Sequence, residues 1–111
     1  MQGTVKIGDK GIKMVANAAS VYVYRSIFKE DFLVKAQDKN PEPDIFQKMG
    51  FVMAKQAETN KMSELMNITI DDFYEWLIQF NPLDVLTAAG DISNLYMGQT
   101  EGLSTPKEKG V

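Results

Sequence analysis

Any reactive chemistry in this chain would have to rest on carboxylates. It carries 15 Asp and Glu residues but no histidine and no cysteine. The usual zinc ligands, the thiolate nucleophile and the commonest general base near neutral pH are therefore missing. Three acidic pairs are candidates for acid–base work or for a divalent cation: Glu30–Asp31, Asp71–Asp72, and the more widely spaced Asp84 and Asp91. Adjacent residues on a helix point in different directions, so neither neighbouring pair makes a convergent site. Asp71 and Asp72 also fall at the start of an expected helix, where negative charge is stabilising for structural reasons alone. A metal site would need acids from different helices. Gly8-Asp9-Lys10-Gly11 has the glycines of a phosphate cradle, but no nucleotide-binding spacing and no Gly-Lys-Ser/Thr follows. A tight turn is the better reading. No catalytic residue, cofactor or metal is expected.

Bulk composition narrows the class further. The chain has 111 residues, 44% hydrophobic and 24% charged, which suits one globular domain and leaves too little for a second core. Its formal net charge is −3 and it has no lysine or arginine run, so nucleic acid is not an expected partner. Absence of cysteine fits the cytosol. No apolar run reaches membrane-spanning length, and the first residues lack a charged-then-apolar signal pattern, so a soluble, intracellular protein is expected.

The elements that would carry these residues read as mainly α. A small β-hairpin is expected over 3–15, a compact bundle of about four helices up to residue 98, and a flexible tail over 99–111. In the hairpin, Val5 and Ile7 alternate with polar residues, as do Ile12 and Met14, around the Gly8–Gly11 turn. The first and organising helix is expected over Ser20–Gln37, with Ser20 as its N-cap. Its inner face is either Val21, Tyr24, Phe28 and Phe32, or Val21, Tyr24, Ile27 and Phe28. Tyr22 and Val23 lie off that stripe and would leave an apolar patch.

Pro41 and Pro43 break the chain before a second helix, from Glu42 or Asp44 to about Thr59. Ile45, Met49, Val52, Met53 and Ala57 form its apolar stripe, and Gly50 would allow a close crossing. Met49, Met53, Met62 and Met66 make a methionine-rich face, with core filling favoured over adaptable binding. After a helical turn around Ser63–Met66, a third helix starts at Thr69, with Asp72 completing a capping arrangement. Phe73, Trp76, Leu77 and Phe80 face the core, leaving Tyr74 for the surface. Asn81 and Pro82 open a fourth helix whose inner stripe is Leu86, Ala89, Ile92, Leu95 and Tyr96 and which stops near Gly98.

Several of these segments, in order, resemble the small tail assembly chaperones of long-tailed, siphovirus-type bacteriophages and of prophages of Gram-positive bacteria. After the hairpin come Asn17-Ala18-Ala19-Ser20 and Tyr24-Arg25-x-x-Phe28-x-x-Asp31, similar to the family's Tyr-Arg-x-x-Phe-Gly-x-Asp. Val52-Met53-Ala54-Lys55-Gln56-Ala57 resembles its second-helix signature and is the most specific piece. Phe73-Tyr-Glu-Trp76-Leu77, the helix ending in Leu95-Tyr96, and the polar lysine-containing tail complete the likeness. Two departures bear on how the first helix begins and bends: Ser20-Val21 replaces a frequent Thr-Pro, and Lys29 replaces a frequent glycine.

The resemblance implies a non-enzymatic assembly factor in the bacterial host cytoplasm that does not stay in the mature virion. Such a protein binds the tape measure protein, keeps it soluble and helps recruit tail tube subunits. Self-association and a frameshifted, longer form also belong to that expectation. Tyr22, Arg25, Met53, Tyr74 and Trp76 are the expected partner-contact or packing residues. The alternative is a structural virion component, such as a tail-completion or connector protein, that uses the hairpin for strand addition.

Overall fold

Gly8 sets the first element. In the computed structural model, which describes residues 1–40, 42 and 44–98, β1 (Gln2–Ile7) and β2 (Lys10–Val15) pair antiparallel with Ile7 opposite Lys10. That register leaves Gly8 and Asp9 as a two-residue reversal, and Gly8 takes φ +66°, where a side chain is disfavoured. A methyl group there would also stand 2.6 Å from the Asp84 carboxylate. Val5, Ile7 and Met14 are buried, Ile12 partly so, and the hairpin rests on two later helices.

The first of these, α3 (Asp44–Glu58), is the axis of the molecule; it packs against β2 and against most of the other helices. Its expected stripe residues Ile45, Met49, Val52 and Met53 are buried, but so are Phe51 and Ala54. A helix covered on several sides cannot keep a narrow apolar stripe. The organising role expected of the first helix thus belongs to α3.

The first helix is shorter than expected and is broken. It divides into α1 (Ser20–Phe28) and α2 (Phe32–Ala36), separated at Lys29, whose φ of 59° is left-handed. The Lys29 N–H still donates to the Arg25 carbonyl, closing α1, and the Asp31 carboxylate then accepts from the N–H groups of Leu33 and Val34 to open α2. No glycine or proline marks the break; the N-cap at Asp31 decides it. Val23 is buried rather than exposed, and Val21 packs only partly against the core.

The remaining elements are α4 (Met62–Leu65), α5 (Ile70–Leu77) and α6 (Pro82–Met97). The described chain is thus mainly α behind its hairpin, as expected, with six helical segments where about four were expected, two of them only a turn long. At α5 the capping box is present: Thr69 accepts from the Asp72 N–H, and the Asp72 carboxylate accepts from the Thr69 N–H at 2.9 Å. Pro82 occupies the first turn of α6 and Gly98 closes it at φ 70°, but Asn81 makes no side-chain cap. The inner stripe of α6 is Val85, Ala88, Ile92 and Leu95, with Tyr96 partly covered, whereas Leu86 is exposed. None of the described helices is long and apolar enough to cross a membrane. The expected tail over 99–111 and the breaking prolines Pro41 and Pro43 lie outside the described residues.

Candidate functional site

Two polar clusters hold the helices in place. Asn17, Ser20 and Gln56 tie the hairpin–helix junction to α3. The Ser20 hydroxyl donates to Gln56 Oε1 at 2.6 Å and accepts from the Asn17 N–H at 3.1 Å, while Gln56 Nε2 donates to Asn17 Oδ1 at 3.0 Å. Ser20 and Gln56 are both buried, so this closed set satisfies groups that water cannot reach. The expectation that Ser20 caps the first helix is corrected: Ala19 holds the cap position, and the serine side chain turns inward.

The second cluster joins α1 to α3 beneath the break at Lys29. The Tyr24 hydroxyl donates to Glu30 at 2.5 Å, and Lys48 bridges Glu30 at 3.2 Å and Asp44 at 3.3 Å. Burial, and then Glu30 itself, push the Tyr24 hydroxyl well above the ordinary tyrosine range. Burial alone would raise the Glu30 carboxyl, but hydrogen bonds from Tyr24 and Lys48 outweigh it and hold that carboxyl below its ordinary value. Burial likewise opposes charge on Lys48, yet Glu30 and Asp44 outweigh it and raise the ammonium. Lys48 pairs with both carboxylates, while Asp44 Oδ1 is buried without a hydrogen bond among the described residues, and the cluster works as a brace.

A run of aromatic rings then fixes α5. Phe28 meets Phe73 edge-on at 5.0 Å, Phe73 and Trp76 each lie 5.5 Å from Phe51, and Trp76 lies 5.0 Å from Phe80. Such tilted and edge-on pairs add to the stabilisation from burial. With Phe73 and Trp76 turned inward, the opposite side of α5 must face solvent.

That outer side is apolar. Ile70 is 39% exposed, Tyr74 53% and Ile78, the C-cap residue, 82%. They recur every fourth residue, which puts them on one side of the helix. Met66 and Met62, exposed at 40% and 39%, precede α5 on the far side of the extended Thr69, so they adjoin this stripe without belonging to its helix. Met66 and Ile70 line one groove of about 470 Å³ together with Ile27, Phe28, Lys29 and Ile68, so the α5 stripe continues into a depression against the end of α1. Asp71 and Glu75 are exposed along one edge of the stripe, and α5 contains no lysine or arginine.

The residues expected to meet a partner divide by location. Tyr22, Arg25 and Tyr74 are on the surface. Tyr22 lies one turn before Ser26, which lines the groove, while Arg25 bridges Asp31 at 3.0 Å across the helix break. Met53 is fully enclosed and Trp76 nearly so, which is the packing alternative of that expectation. They are packing residues that place α3 and α5. Met49 is core as well, whereas Met62 and Met66 are exposed, so the methionine face is split. Ile70 and Ile78 lie off the spacing of the core aromatics; the four-residue interval from Ile70 through Tyr74 to Ile78 is the signal that finds them.

The acids do not gather. Asp72 belongs to the capping box and Asp84 leans on Gly8. Among the described residues, no group of three or more Asp or Glu is placed to hold a metal ion. Set against protein-family models, curated proteins and solved structures, the chain gives no match in any of the three.

Proposed function

We propose that this protein is a phage tail assembly chaperone that binds the tape measure protein, keeps it soluble in the host cytoplasm and helps recruit tail tube subunits. The observation that supports this reading is the exposed apolar series from Met62 to Ile78 on a braced helical scaffold. A long helical client exposes apolar stripes before assembly, and methionine and aromatic surfaces cover such stripes reversibly. The sequence resemblance supplies the identity of the client. The chemistry is binding alone, without cofactor, nucleic acid or membrane.

Co-expression with the tape measure protein of the same genome tests it. The client is expected to move into the soluble fraction and to co-purify with this chain. An insoluble client that does not co-purify contradicts the proposal. Recovery of the chain from purified particles would instead favour the structural virion component.

A further inference from the structure

The chaperone reading leaves open which face meets the client and what that client segment looks like. Three exposed apolar surfaces compete: Leu33 and Val34 on α2, Leu83 and Leu86 on α6, and the Met66–Ile70–Tyr74–Ile78 series. Only the last combines a groove, a four-residue apolar repeat along its helix (Ile70, Tyr74 and Ile78) and a border of carboxylates on that helix, with Lys29 also lining the groove.

The geometry of α5 points to its occupant. At about 100° per residue, Ile70, Tyr74 and Ile78 spread over roughly a quarter of the helix circumference. Asp71 and Glu75 follow directly on the side away from the buried Phe73 and Trp76. A segment lying along this stripe meets apolar side chains beneath it and carboxylates along one flank. We propose that this face docks an amphipathic helix whose apolar stripe is flanked by lysine or arginine. Resting on the chaperone reading, this names the kind of tape-measure segment the protein holds.

A second copy of the chain fits less well. Antiparallel pairing of two α5 stripes sets each Asp71–Glu75 edge against its twin, and like charges across an interface oppose association. A basic helix converts the same edge into attraction. Salt then weakens the complex, because exposed pairs are screened.

The test uses the purified full chain and two synthetic helical peptides with the same leucine stripe, one bordered by lysine and one by glutamate, titrated by calorimetry. The Leu/Lys peptide is expected to bind and the Leu/Glu peptide to bind at least about tenfold more weakly. Tyr74→Ser with Ile78→Ser, both at exposed positions, should weaken Leu/Lys binding by about tenfold or more while leaving the thermal melt in place. Asp71→Asn with Glu75→Gln should narrow the preference between the peptides and flatten the salt dependence. Equal binding of both peptides, or unchanged binding by the double serine variant, overturns the proposal. So does a dimer that the serine variant dissociates, or a tenfold gain in affinity on removal of residues 99–111, since a second copy or the chain's own end would then occupy the face. Peptide binding without solubilisation of the tape measure protein keeps this docking face and removes only the phage client. Solubilisation unaffected by the serine variant keeps the client and removes this face.

Discussion

A methyl group on Gly50 would stand 2.8 Å from Cδ1 of Ile92. The glycine is what lets α3 and α6 approach so closely, and Ile92 is fully enclosed, with little room to turn aside. Gly50→Ala gains about 1 kcal/mol of helix propensity but overpacks this crossing, at a cost of about 1–3 kcal/mol. A net loss of stability is expected. Ile92→Val removes the clashing carbon, so it should cost clearly less in the Gly50→Ala background than alone. Thermal melts of the four proteins in a double-mutant cycle measure that coupling.

Lys29 occupies a left-handed conformation that suits glycine. Lys29→Gly relieves about 1 kcal/mol of backbone strain, partly offset by the greater freedom of glycine in the unfolded chain. The melting temperature should rise by a few degrees. Lys29→Val should lower it, since a β-branched residue tolerates that region worst.

The Ser20–Gln56 bond is buried at both ends. Ser20→Ala removes the donor and leaves Gln56 Oε1 unsatisfied, a loss of about 1–3 kcal/mol. Urea denaturation should show a lower midpoint with an unchanged slope.

The Tyr24–Glu30–Lys48 cluster makes stability depend on pH at both extremes. Because the folded-state Glu30 carboxyl lies below its ordinary value, its contribution is present above the ordinary glutamate range and is lost as pH falls through the folded value. Tyr24 and Lys48 are both raised, so their contributions hold below their ordinary ranges and fade as pH climbs towards the folded values. Denaturation of the native chain and of Glu30→Gln should therefore differ most near neutrality. The gap should close as the solution becomes strongly acidic.

Much of the scaffold is legible in local sequence because local chemistry decides it. Gly8 fixes the hairpin reversal, Thr69 and Asp72 form the capping box, Pro82 opens α6 and Gly98 ends it. What escapes the sequence depends on tertiary partners. The break at Lys29 carries neither glycine nor proline; the resemblance marks the position as one where glycine is frequent, and the Asp31 cap completes the break. Ser20 has the residue type of an N-cap, but a distant glutamine turns it inward. On α6, Leu86 and Val85 both fit helical spacing, and only the positions of α3 and the hairpin select Val85 and Ala88 for the core.

The candidate surface follows the same division. Tyr74 is readable as an outward residue because Phe73, Trp76 and Phe80 claim the other side of the helix. Met53 is the same residue type as Met62 and Met66, and only its place on the regular stripe of the second helix hints that it packs inward. Burial separates the packing methionine from the exposed pair.

Hydrogen–deuterium exchange of the full chain, with and without the tape measure protein, examines the client-binding face directly. Exchange should slow across residues 62–80 on addition of the client, with the hairpin amides unchanged. Protection centred on Gln2–Val15, or none anywhere, would contradict a client held on the outer side of α5.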